Sequence, residues 1–237
     1  MDKPIIEGFK LSPQQKYIWS LQQIDRSLPN RVSWTVLIEG NLDFKSLEIS
    51  LQTVINKYEI LRTNYRCLSG MTIPLQVISD NIIPSIDYQD ISSLNAQQQQ
   101  EKIQLITSQL NQLGLDFAQD SLLYFSVIII SPIRHILAIS LPTLDADTIT
   151  INNLTQEISH YYAVGNQIEE SEEEPLQYAD IAEWQNETLE QEEAKLGIEY
   201  WQKFCDFNLF KQNLPLEKIN NQEADFQPQC LNWELNL

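Results

Sequence analysis

The chain has 237 residues, 43% of them hydrophobic and 9% aromatic, enough to bury the core of one large domain. Its 33 acidic residues against 15 basic ones leave a formal charge of −18, which argues against nucleic acid or an anionic membrane as partner and favours solubility. The first fifteen residues, MDKPIIEGFKLSPQQ, are too polar for a secretory leader, and the longest apolar run, 122–130, is about half the length of a membrane-crossing helix. Three scattered cysteines (Cys67, Cys205 and Cys230) form no CxxC pair, offer no metal site and suit a reducing cytoplasm.

Along the chain, Ser12 opens a first helix, with Pro13 at its first position and Gln15 three residues after the cap, a capping-box pattern. A strand over 32–38 ends at Gly40-Asn41, and Asp43 caps a second helix whose Phe44, Leu47, Leu51, Val54 and Tyr58 recur at helical spacing. Residues 59–67 read as a strand. Residues 72–78 read as its antiparallel neighbour across Ser69-Gly70, with Pro74 placing that neighbour at a sheet edge. A third helix carries Ile103, Ile106, Leu110 and Leu113 in one stripe and stops at Gly114. Its glutamine run, Gln97 to Gln100, fits a solvated helical face. Apolar runs 122–130 and 136–141, joined by Ser131-Pro132, suit a buried hairpin.

After that hairpin comes a tight turn, and Asp147 then opens a fourth helix with Ile151, Leu154, Ile158 and Tyr161 on one face. The turn is where a strand-to-helix junction would present a reactive side chain, yet it holds Pro142 and Thr143. Proline does not titrate, and a threonine hydroxyl needs a base of its own. The only two histidines, His135 and His160, lie off the turn and read as packed or surface residues. Asp145 and Asp147 could form an acid–base pair, but turn and cap roles account for both, so Asp145 and Thr143 are weak catalytic candidates. Cys67 has no nearby histidine to activate it. There is no glycine-rich phosphate loop and no metal-ligand spacing.

The acidic run 169–174 followed by Pro175 marks an exposed linker. Residues 176–204 read as one helix, with Trp184, Tyr200 and Trp201 packed against the preceding lobe. The tail ends in an alternating strand, 231–237, with no evident partner. These signals predict an α+β fold with a central, mostly antiparallel sheet covered by helices. Its domains run 1–168 (lobe), 169–175 (linker) and 176–237 (helical crossover segment and start of a second, missing lobe).

Four segments in order resemble the condensation domains of non-ribosomal peptide synthetases, relatives of chloramphenicol acetyltransferase. LSPQQKYIWSL (11–21) is similar to the family's LSxAQxRLWxL through Leu11, Ser12, Gln15, Trp19 and Leu21. NKYEILRTNYR (56–66) resembles RHExLRTxF through Glu59, Leu61, Arg62 and Thr63, with Tyr65 in place of phenylalanine. LDFAQDSLL (115–123) resembles FDLxxGPLLR, with Tyr124 at the arginine position. LQYADIAEWQ (176–185), followed by Tyr200-Trp201, resembles YxDFAxWQ followed by YW through Tyr178, Asp180, Ala182, Trp184 and Gln185.

The family's HHxxxDG motif aligns with residues 142–148, where Pro142 and Thr143 replace both histidines, Thr148 replaces the glycine, and Asp147 alone remains. The resemblance implies that the second histidine's role, taking a proton from the acceptor amine or steadying the tetrahedral intermediate, is absent. It also implies a structural ion pair between Arg62 and Asp147. A full condensation domain is two lobes, about twice this length, so the resemblance covers the first lobe and the start of the crossing segment. The start at Met1, about ten residues before the first motif, suits the beginning of a synthetase chain.

On this resemblance the chain is a truncated, catalytically silent condensation-like lobe. It would act as a structural or docking platform for an adjacent adenylation or peptidyl carrier domain, with phosphopantetheine only on the carrier and no cofactor of its own. The competing reading is half of an amide-forming acyltransferase, completed by a second condensation lobe. A third is a pocket that binds a small molecule or carrier arm without turning it over.

Overall fold

The computed structural model describes residues 8–24, 30–80, 82–113, 122–165 and 175–204. Among them, a four-stranded sheet forms the centre, in the order β2 (Arg31–Glu39), β7 (Arg134–Pro142), β6 (Tyr124–Ser131), β5 (Ile86–Asp90). The β2–β7 and β7–β6 pairs are antiparallel and β6–β5 is parallel, so the sheet is mostly antiparallel, as expected. The β6–β7 hairpin turns at Pro132-Ile133, one residue beyond the Ser131-Pro132 junction expected from sequence, because Ser131 still belongs to the strand.

Strand alternation divides the hairpin's side chains between two faces. Phe125, Val127, Leu137, Ile139 and Leu141 point to one face and pack against Leu47, Leu51, Val54 and Ile55 of α2 (Phe44–Lys57) and Leu154 and Ile158 of α4 (Thr148–Val164). Ile128 and Ala138 point to the other and pack against Ile106 and Leu110 of α3 (Ala96–Gln112). Both faces of the hairpin are therefore buried, which is why its sequence is an almost unbroken apolar run.

A separate three-stranded sheet has β4 (Leu75–Ile78) in the centre, between β1 (Phe9–Lys10) and β3 (Thr63–Arg66). The antiparallel pairing of β3 with β4 was expected, but Pro74 does not mark an edge. It precedes the strand, so β4 is free to pair on both sides. Residues 59–62, read as strand from sequence, form a 3-10 turn instead. Strand β5 was missed because its sequence, IDYQD, is mostly polar and only half-buried.

Side-chain caps set the helix starts. In α1 (Pro13–Ile24) the backbone N–H of Gln15 donates to Ser12 Oγ at 3.1 Å, and the N–H of Ser12 donates to Gln15 Oε1 at 2.9 Å, the expected capping box. Asp43 caps α2 through the N–H groups of Lys45 and Ser46. Asn95 and Gln98 form a box for α3 that the sequence reading did not single out. The helix expected over 176–204 breaks at Gln191 into α5 (Tyr178–Glu190) and α6 (Glu192–Phe204). Trp184, Tyr200 and Trp201 are 64%, 55% and 64% exposed, which corrects the expectation that they pack on the lobe. Gly114, most of the 115–123 segment, the acidic run 169–174, Cys205, Cys230 and the strand at 231–237 lie outside the described residues. No helix among the described residues is long and apolar enough to cross a membrane.

Candidate functional site

The β7–α4 turn lies where β7 leaves the sheet, and it forms one wall of a cleft of about 320 Å³. The other walls come from Gln14, Gln15 and Ile18 of α1, Ile60 of the 3-10 turn, and Tyr178 and Gln185 of α5. Thr143, Asp145, Asp147 and Thr150 supply the turn's own surface. This volume lies at the lower end of the range for small-molecule clefts.

Neither of the first two turn residues is free for proton chemistry. Pro142 ends β7, opposite Arg31 in the ladder, and its carbonyl accepts the N–H of Asp145 at 2.9 Å. Thr143 donates its N–H to the Asn30 carbonyl at 3.0 Å, and its hydroxyl accepts from Gln22 Nε2 at 2.8 Å. Asp147 is spent on the helix: its Oδ1 accepts from the N–H of Thr150 at 2.8 Å and from the Thr150 hydroxyl at 2.9 Å. Those bonds hold its carboxyl below the usual range.

The ion pair implied between Arg62 and Asp147 is not formed. Arg62 donates to the Ser79 carbonyl at 2.6 Å and to Glu59 Oε1 at 3.2 Å, and its Nε is buried without a partner. The physical reason is local. The 3-10 turn brings Glu59 three residues back under the guanidinium, while the Asp147 carboxylate turns toward the N–H groups of its own helix.

The turn is anchored elsewhere. Asp145 accepts a short hydrogen bond from the hydroxyl of Tyr65, a β3 residue that is 2% exposed. Gln15, also buried, donates through Nε2 to Tyr65 Oη, Gln76 Oε1 and the Leu144 carbonyl, each at 3.1 Å. Ser12 Oγ and Tyr178 Oη lie 2.9 Å apart, joining α5 to the same assembly. Beneath it, the buried Arg31 donates to Ser140 Oγ at 2.8 Å and to the carbonyls of Leu122 and Ser140.

Asp145 is half-buried where it lines the cleft. Burial pushes its pKa up to about 8, against the opposing pull of the Tyr65 hydrogen bond and the Arg31 charge. Tyr65 is raised well above its ordinary value, first by burial and then by Asp145. Burial lowers Arg31, and Asp145 partly offsets that. Near neutrality the assembly therefore holds Asp145 largely as the neutral acid.

The remaining predicted residues scatter. Trp19 reaches the Thr72 carbonyl at 3.2 Å, the N–H of Glu59 donates to Gln177 Oε1 at 2.9 Å, and Asp180 and Trp184 face solvent. Only Ser12, Gln15 and Tyr178 join the turn. His135 is buried in the sheet with its ring edge-on to Phe44 at 5.8 Å, and His160 is exposed on α4 against Tyr161. Among the described residues no group of three or more His, Cys, Asp or Glu side chains could hold a metal. Sequence reasoning missed Arg31 and the Tyr65–Asp145 pairing. The available signal was the hydroxyl of Tyr65, standing where the resemblance calls for phenylalanine.

A family model described as "Condensation domain" matches residues 6–236. Bacitracin synthase 3 of Bacillus licheniformis is 29% identical over 221 residues, covering 93% of this chain and 3% of that protein. The solved starter condensation domain of rhizomide synthetase RzmA superposes with a TM-score of 0.72 at 18% identity, covering 84% of this chain and 50% of that one. The X-domain from teicoplanin biosynthesis, solved as a complex with OxyB, superposes with a TM-score of 0.63 at 20% identity, covering 80% and 40%. The chain thus spans a few hundredths of that curated relative and half or less of those two solved chains.

Proposed function

This chain belongs to the condensation-domain family, and on that premise we propose that it is the first lobe of a condensation-like unit in a peptide synthetase, catalytically silent and serving as a platform for a neighbouring adenylation or carrier domain. The observation that carries the reading is the state of Pro142 and Thr143. The turn keeps its place between β7 and α4, but an imino acid and a hydrogen-bonded hydroxyl stand where an imidazole would take a proton. A scaffold that retains its fold after losing its base is fit for holding other domains. The X-domain of teicoplanin biosynthesis, solved in complex with OxyB, lends support, because a domain of this fold there engages a partner protein.

The test mixes the purified chain with carrier proteins loaded with donor and acceptor thioesters and follows amide formation by mass spectrometry. The expected result is no product above a chain-free control, together with co-purification of an adenylation or carrier protein from the native extract. Amide formation by the chain alone would overturn the proposal. Recovery of a second condensation lobe that switches on turnover would replace it with the split-enzyme reading.

A further inference from the structure

Strand β2 forms one edge of the four-stranded sheet, and its register with β7 fixes which of its backbone groups turn outward. Thr143 donates its N–H to the Asn30 carbonyl, and Gly40 donates to the Ile133 carbonyl. Bonding to β7 therefore falls on every second residue between them: Val32, Trp34, Val36 and Ile38. The N–H and C=O groups of Ser33, Thr35, Leu37 and Glu39 point away from the sheet, and none has a partner among the described residues. The strand is nine residues long, and its Ser33–Ile38 stretch holds no proline, charge or bulge, the usual devices that block pairing at an edge.

A cavity lies under the same edge. Glu48 of α2 accepts from the Tyr88 hydroxyl of β5, and Thr155 of α4 accepts the Trp34 indole N–H, so α2 covers the β5 side of the sheet and α4 the β2 side. The cavity holds about 150 Å³, with Val36 and Ile38 of β2 and Leu137 and Ile139 of β7 as its floor, and it reaches the exposed Ser159 of α4. The polar groups at its rim are already bonded. Tyr162 Oη accepts the N–H of Asp43, Thr155 takes Trp34, and Ser159 Oγ donates to the Thr155 carbonyl. Such walls suit an uncharged hydrocarbon group, and a dry cavity of this volume takes one of benzene size.

We propose that the β2 edge is a docking site for an extended segment of a partner protein, which adds a strand to the sheet and seats one leucine- or phenylalanine-sized side chain in the cavity. The outward backbone groups supply the hydrogen bonds and the cavity supplies the selectivity. Side chains opposite Val36 and Ile38 fall on the cavity face, and those opposite Thr35 and Leu37 fall on the other. The segment therefore alternates, apolar toward the cavity and tolerant of polar residues on the far side. A second copy of this chain is a poor occupant, because two chains of charge −18 repel, so the segment is neutral or basic. The site rests on this chain's own strands and holds whether or not the β7–α4 turn is silent.

The experiment measures amide exchange by NMR on the full chain, alone and with the synthetic peptide acetyl-Lys-Val-Thr-Phe-Thr-Val-Lys-amide at up to about 1 mM. In the chain alone, the amides of Val32, Trp34, Val36 and Ile38 are expected to be protected, and those of Ser33, Thr35 and Leu37 to exchange freely. At about ten times its Kd the peptide is expected to raise protection of the second set about tenfold. Aspartate in place of the peptide's phenylalanine, or N-methylation of its edge-facing amides, is expected to weaken binding by at least about tenfold. Thr35→Pro removes an outward N–H and leaves every bond to β7 in place, so it is expected to abolish the peptide's effect at Ser33 and Leu37. If Thr35→Pro does not fold, the N-methylated peptide tests the same bonds on the unaltered chain. Outward amides already protected in the chain alone, equal protection by all the peptides, or none at about 1 mM would overturn the proposal. Sedimentation showing a dimer whose formation protects those amides would also overturn it, giving the edge to a second copy.

Discussion

Replacing Gln15 with alanine removes the amide at the centre of the assembly under the turn. Gln15 is 1% exposed, and its side chain serves four partners: Tyr65 Oη, Gln76 Oε1, the Leu144 carbonyl and the N–H of Ser12. Tyr65 keeps its bond to Asp145, and Ser12 Oγ keeps Tyr178, so the orphaned groups are Gln76 Oε1, Leu144 O and Ser12 N. An unsatisfied buried polar group costs about 1–3 kcal/mol. The three share one cavity that water can enter, so the costs do not simply add. A loss of about 3 kcal/mol is expected, equivalent to a fall of roughly 6–12 °C in Tm for a domain of this size. Urea denaturation followed by far-UV circular dichroism measures it, with an unchanged m-value confirming that the same transition is compared. Gln22→Ala is the internal control: it removes the bond to Thr143 from the half-buried rim, at a cost of under about 1 kcal/mol. If Gln15→Ala costs no more than this control, the assembly does not hold α1 to the turn.

Arg31→Met keeps the length and apolar stem of the side chain but removes the donors to Ser140 and Leu122 and the positive charge nearest Asp145. A loss of about 3 kcal/mol in urea denaturation is expected, with Asp145 holding its proton to still higher pH; a loss below about 1 kcal/mol would refute a structural role for the guanidinium. His135 supplies a separate pH dependence. It is buried with Nδ1 unpartnered, and burial lowers its pKa below 6.5. The unfolded chain therefore takes up the proton first as pH falls, so the stability this residue contributes is complete above about 6.5 and erodes below it. Tm measured from pH 7.5 to 5 should fall more steeply for the unaltered chain than for His135→Gln, and parallel profiles would refute this.

Local chemistry made the helices legible. The Ser12 box, the Asp43 cap, the Asp147 cap and the 3.6-residue stripes of α2, α3 and α4 all lie in runs of under twenty residues, and each found the partner its pattern called for. Strand β5 was not legible, because half-buried polar strands carry no periodic apolar signal. Pro74 misled because a proline says where pairing cannot occur, and β4 begins only after it.

What the sequence by itself determined is the fold class, written in residue type and short-range spacing. What only the tertiary structure decided is how the turn is held. Arg62 and Asp147 each had a closer partner, Glu59 and Thr150, and short-range geometry outweighed the long-range pair. Tyr65, Asp145, Gln15 and Arg31 lie on four elements separated by up to 130 residues, and they meet only because the sheet and α1 bring them to one side of the turn. No window of sequence contains that meeting. Burial, a property of the packed whole, then lets a carboxyl hold its proton to about pH 8.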